Sequence, residues 1–270
     1  MRVMSSYVFL AVLFAVAAGA HAAPAAGDSA HDQKEARIAR VASTKGLVAF
    51  WDFTLKRDGV WSSYRDPGAC DREYPLVLQR IGDPKSYGPD SWPYQDEPPK
   101  LTYDASGPFG NAVRMNQGYL FAAVPREVFN RTPLDISGQM PLTLIAWVKL
   151  TSRRHFVAGI WDEGGWTKYS GGRQYALFTG LVAGPRSAQG HVSTTGAATY
   201  PQSNLPGAQY ARLQAADGRD VPDGVWVVLA MTRDPECGEV RMFLNRVLSE
   251  EELRALSFGG DGAPAGADNR

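Results

Sequence analysis

Cysteine and histidine are scarce in this 270-residue chain, with two of the first and four of the second. Cys70 and Cys237 stand far apart with no C-x-x-C arrangement, and His21, His31, His155 and His191 show no usual ligand spacing. A zinc site is therefore not indicated. Net charge is missing as well, since 28 basic residues offset 28 acidic ones. Nucleic-acid binders ordinarily carry a basic excess, so that class is set aside. The Gly-x-Ser-x-Gly elbow of the hydrolases is absent. Gly164-Gly165 and Gly171-Gly172 lack the Lys-Ser/Thr of a phosphate loop and read as turns. No apolar run is long enough to span a membrane: residues 7–18 are uncharged and apolar, but this is about 12 residues against the roughly 20 a spanning helix requires.

That short run has another use. Arg2 precedes it, and Ala20-His21-Ala22 follows with the small-x-small pattern that signal peptidase reads. Residues 1–22 are expected to be a signal peptide, with an uncleaved N-terminal anchor as the other reading. After removal no transmembrane span remains, and the protein is expected to be secreted or held in the periplasm or cell envelope. Export makes a Cys70–Cys237 disulfide possible. Closing a loop of about 167 residues would contribute roughly 4–5 kcal/mol in the chain-entropy picture. The disulfide is the expectation, and two separate thiols are the alternative.

Aromatic residues make up 11% of the chain, with seven Trp, alongside 28 Gly and 18 Pro. Many rings and many turn-formers fit short strands joined by loops better than a helical bundle. Residues 23–45 start rich in Ala, Pro, Gly and Asp and continue into a polar stretch that permits a short helix; they are expected to be a mostly disordered linker outside the core. Strands are expected in residues 46–53, 112–115, 119–124, 142–149, 156–161, 174–182, 225–232 and 239–245. Trp51, Trp147 and Trp226 lie inside these runs and are expected in the core. Ser249 and Glu252 form a capping box ahead of a leucine stripe, predicting one short C-terminal helix. Residues 257–270 read as a disordered tail. The fold class is all-β: a two-sheet antiparallel sandwich or jelly roll over residues 46–256.

Five segments in order sharpen this. Gly46-Leu47-Val48-Ala49-Phe50-Trp51-Asp52-Phe53, Gly107-Pro108-Phe109-Gly110-Asn111-Ala112-Val113-Arg114-Met115 and Leu142-Thr143-Leu144-Ile145-Ala146-Trp147-Val148-Lys149 come first. Asp223-Gly224-Val225-Trp226-Val227-Val228-Leu229-Ala230-Met231-Thr232 and Asn245-Arg246-Val247-Leu248-Ser249-Glu250-Glu251-Glu252-Leu253 follow. Together they resemble the laminin-G-like, concanavalin A-like lectin/glucanase superfamily. The resemblance implies a jelly roll of roughly a dozen strands but no single activity. One departure stands out. In the family several strands separate the Asn-Gly turn from the closing Asn-Arg-Ala-Leu-Ser segment, whereas here the two are fused at Asn245-Arg246. Either the sandwich is shortened, leaving an edge or core face uncovered, or the insertions at 54–106 and 183–222 replace the lost strands.

The glucanase branch delivers its carboxylates as Glu-x-Asp-x-x-Glu on one strand, and no segment reads so; no catalytic residue is assigned. Asp162-Glu163 are adjacent, and adjacent strand residues face opposite ways. Binding candidates are aromatic, because sugar rings stack their C–H faces on Trp and Tyr. They are Trp161, Asp162, Glu163, Trp166 and Tyr169 in one segment, and Trp92 and Tyr94 in another. The resemblance also raises calcium at the sandwich rim, for which Asp217, Asp220 and Asp223 are the candidates. The expected function is an exported, non-catalytic recognition module binding carbohydrate or a glycan-bearing surface. An envelope adhesion module binding protein and a jelly-roll glycoside hydrolase are the alternatives.

Overall fold

A computed structural model of the chain describes residues 6–13, 30–54, 56–57, 60–80, 100–104, 107–116, 118–135, 141–150, 155–161, 173–180, 187–193, 210–214 and 220–246. The expected C-terminal helix and tail lie outside these residues. The described part is predominantly β, with 52% strand and 11% helix. No described helix is long and apolar enough to cross a membrane.

Strand β1 (Ser6–Leu13) is followed by helix α1 (Ala30–Ala42), then β2 (Leu47–Phe50), β3 (Lys56–Arg57), β4 (Val60–Trp61), β5 (Val77–Arg80) and β6 (Lys100–Asp104). Next come β7 (Ala112–Asn116), β8 (Gly118–Phe121), the one-turn helix α2 (Arg126–Phe129), β9 (Leu142–Leu150) and β10 (His155–Trp161). The chain continues with β11 (Arg173–Thr179), β12 (Ala188–Ser193), β13 (Tyr210–Gln214), β14 (Trp226–Asp234) and β15 (Glu239–Arg246). A seven-stranded sheet runs β15-β14-β9-β1-β7-β6, with β2 also paired to β1, and a four-stranded sheet runs β10-β11-β12-β13.

The apolar period of two explains the larger sheet. Along β9, Leu142, Leu144, Ala146, Val148 and Leu150 are buried while the residues between them are half-exposed or, like Thr143, partly covered. Its partner β14 repeats the pattern with Val227, Leu229 and Met231. Of the three strand tryptophans, Trp51 is buried and donates its indole N–H to the Tyr74 carbonyl at 2.8 Å. Trp147 and Trp226 are only partly buried and pack against the core from outside, Trp147 edge-on to Phe109 at 4.9 Å.

One face of the four-stranded sheet supplies the opposing half of the core, through Ala158, Tyr175, Leu177, Ala188 and Val192. Gly190 marks the close approach: a methyl group there would meet the Met231 sulfur at 2.7 Å and the Met242 sulfur at 3.3 Å. Two strap contacts join the sheets. Asp220 bridges to Ser187 ahead of β12, and Asp223 bridges to Leu150 at the end of β9, with the Gly224 N–H donating to the Leu150 carbonyl at 2.8 Å.

Three features were left unsettled by the sequence. Residues 30–42 of the expected linker are helical, and Ile38 and Val41 pack half-buried against the core; the polar composition hid two apolar side chains one turn apart on one face. The Cys70–Cys237 disulfide is not made. Cys70 is a buried free thiol that donates to the Arg72 carbonyl at 3.3 Å, whereas Cys237 is a free, exposed thiol in the β14–β15 turn. A carboxylate, Asp234, holds the Cys237 thiol above its ordinary pKa by hydrogen bonding and by its charge, which disfavours the thiolate. Finally, β1 comes from the segment expected to be the signal peptide's apolar run. It lies between β9 on one side and β7 and β2 on the other. Among the described strands of that sheet, β15 pairs only with β14 and lies at the edge.

Candidate functional site

Alternation along β11 and β12 sends Tyr175, Leu177 and Val192 into the shared core, so Ala176, Phe178, Gln189 and His191 belong to the opposite, outer face. Phe156 on β10 is in register with Phe178, and Gln189 with the same residue from the other side. A register shift at Ile160/Trp161 interrupts β10, the kind of irregularity that re-aims a side chain. The Trp161 ring lies over this outer face, edge-on to Phe178 at 4.8 Å and to His191 at 4.6 Å. Phe156 extends the row, 5.6 Å from Phe178.

The face grades from covered to open. His191 and Gln189 are buried, Trp161 is half-buried and Phe156 is 45% exposed. Gln189 donates through Nε2 to the Ser187 hydroxyl at 2.9 Å, which fixes the amide. Gln174, also on β11, donates to the Asp135 carboxylate at 2.9 Å. On the core side the Tyr175 hydroxyl donates to the Leu134 carbonyl at 3.0 Å. Burial pushes the Tyr175 phenol far above its ordinary pKa, with Tyr74 and Asp135 adding to the shift, so it stays protonated and serves as an anchor. The arrangement is a cluster of rings on a rigid sheet, of which Trp161 and Phe156 reach the surface and can stack an apolar face, while Gln189 and His191 lie buried behind them.

Of the sequence-predicted ligand residues, Trp161 takes part in this cluster. Asp162, Glu163, Trp166, Tyr169, Trp92 and Tyr94 lie outside the described residues, as does Asp217 of the calcium set. Asp220 and Asp223 are exposed and serve in the strap between the sheets. Among the described residues no three His, Cys, Asp or Glu side chains come together as a metal-binding group. Sequence reasoning passed over Phe156, Phe178, Gln189 and His191. The available signal was the period of two in Gln189-Gly190-His191-Val192, which puts two polar side chains on one face of a strand.

No protein-family model, curated protein or solved structure matches the chain.

Proposed function

We propose that this chain is an exported, non-catalytic recognition module of the laminin-G-like, concanavalin A-like jelly-roll kind, which takes carbohydrate at the Trp161 rim of its four-stranded sheet. The observation that carries the reading is Trp161 set edge-on against Phe178 and His191 on the face turned away from the core. A ring so placed is pre-oriented for stacking on the C–H face of a sugar. The family segments read in order along the sequence, together with the predominance of strand, support the jelly roll.

Binding is preferred to hydrolysis because no segment of the sequence reads as the Glu-x-Asp-x-x-Glu strand by which the glucanase branch delivers its two carboxylates.

The test is a thermal-shift and calorimetric screen of the purified protein with soluble polysaccharides, with and without calcium, on the native chain and on Trp161→Ala. One polysaccharide should raise the melting temperature of the native protein, since a ligand selective for the folded state stabilises it. Trp161→Ala should weaken that ligand about tenfold or more, equivalent to about 1.4 kcal/mol. Absence of any polysaccharide shift, or undiminished binding by Trp161→Ala, rejects the reading.

A further inference from the structure

The larger sheet has its centre in a segment that the sequence marks for removal. All eight residues of β1 pair with β9, from Ser6↔Leu150 to Leu13↔Thr143. On the other edge Ser6, Tyr7 and Val8 pair with β7, while Ala11, Val12 and Leu13 pair with β2. Among the described strands nothing else joins β9 to β7 and β2. Cleavage behind Ala22 would therefore leave a slot one strand wide, with unpaired backbone groups on both walls, in the middle of the sheet.

The register states what the slot accepts. The position of Val8 lies between Val148 and Val113, that of Leu10 opposite Ala146, and that of Val12 between Leu144 and Ala49. All five wall residues are fully buried. An occupant thus needs apolar residues at these alternate positions, because directly opposed residues share a face. The position of Tyr7 lies between Lys149 and Arg114, so the outer face at that end favours a neutral or acidic residue. Both walls run antiparallel to the occupant, which defines its direction.

We propose that the mature chain completes its sheet by accepting a strand from a second protein: an extended segment of about eight residues, antiparallel to β9, apolar at every second position and acidic or neutral beside Lys149 and Arg114. This rests on the export reading, in which residues 1–22 are cut away. Main-chain hydrogen bonds on two edges would supply affinity, and the alternate apolar pockets specificity.

The experiment compares the chain beginning at Ala23 with the full chain, using a synthetic peptide of residues 6–13 carrying solubilising lysines outside the strand. A control peptide carries Val8→Asp and Leu10→Asp. The first peptide should raise the melting temperature of the Ala23 chain by roughly 5–10 °C at about a hundredfold excess over its Kd. A peptide with Tyr7→Glu should match or exceed it at low salt, and the control should do nothing. An Ala23 chain that melts alike with and without peptide overturns the proposal. So does equal stabilisation by the control, or failure of the peptide to restore a cooperative melt that the full chain shows. N-terminal sequencing of the exported protein tests the export reading separately: an intact Met1 would show that β1 stays in place, that reading would fail, and no donor would be needed. The polysaccharide screen at Trp161 is unaffected by either result.

Discussion

Strands β9 and β11 sit at comparable places in their two sheets and are packed in opposite ways. Along β9 burial alternates strictly, so one face belongs to the core and the other is partly open. Along β11 every residue from Tyr175 to Thr179 is buried, on both faces. The larger sheet therefore behaves as a two-sided boundary between core and surroundings. The smaller one has a second interior on its far side, and it is there that Gln189 and His191 lie beside aromatic rings. Gln189 meets the requirement of a buried polar group by donating to the Ser187 hydroxyl, and the half-buried Trp161 lies edge-on to His191 on the same face.

Truncating one outer-face residue in each sheet should separate the two most strongly. Phe178→Ala should cost about 3–5 kcal/mol, as for a core phenylalanine, because only 5% of Phe178 is exposed. Ile145→Ala, on the half-open face of β9, should cost about 1 kcal/mol or less. Urea unfolding of both variants measures the difference, and equal costs would mean that the far faces are not distinct. On the shared side, Leu144→Ala should cost about 2–5 kcal/mol, and its neighbour Thr143→Ala less than about 0.5 kcal/mol. A reversed order would show that the register of β9 is shifted by one.

Gly159→Ala perturbs the smaller sheet alone. Gly159 has φ 147°, and an added methyl carbon would lie 2.2 Å from the Tyr175 carbonyl oxygen. A loss of about 1–3 kcal/mol is expected from forced overpacking, read as a lower denaturation midpoint. The same substitution should weaken any ligand held at Trp161, two residues on. The smallest effect belongs to Asp66, at the entry to β2. Backbone N–H groups of Gly46 and Gly68 donate to its carboxylate at 2.7 and 2.9 Å, and these hydrogen bonds hold its pKa below the ordinary value. Since the folded value is the lower one, its contribution is present above the unfolded value of about 3.9. It is lost as pH falls through the folded value. Melting curves of Asp66→Asn and the native protein should therefore converge below about pH 4 and differ slightly at neutral pH.

Much of the larger sheet was legible in the sequence because its strands are dense in β-branched and aromatic residues. Residues 142–149 and 225–232 anticipated β9 and β14, and residues 239–245 anticipated β15. Strands β12 and β13, Ala-Gln-Gly-His-Val-Ser and Tyr-Ala-Arg-Leu-Gln, were not legible. Their apolar content is low, and what orders them is pairing with β11 and with each other. The candidate site was half legible for the same reason: Trp161 announces itself as a ring beside charges, while Phe178 and His191 acquire meaning only when two strands are laid side by side. At Phe53, with φ 61°, the buried Asp52 accepts the Thr54 N–H at 2.9 Å and closes a tight corner. The sequence Trp-Asp-Phe alone reads as continued strand.

Local features are written in the sequence: where extended segments run, which alternate residues are apolar, and that a short uncharged stretch stands behind Arg2. Pairing was decided by the tertiary structure. An eight-residue stretch as apolar as β1 satisfies the pattern of an export signal and of a central strand equally well, because both require only a run of uncharged side chains. Its place between β9 and the pair β7 and β2 follows from long-range pairing, with buried Val148, Ala146 and Leu144 on one side and buried Val113 on the other. Strand β15 occupies the far edge instead, because the tight turn at Gly238, with φ 70°, returns it directly onto β14.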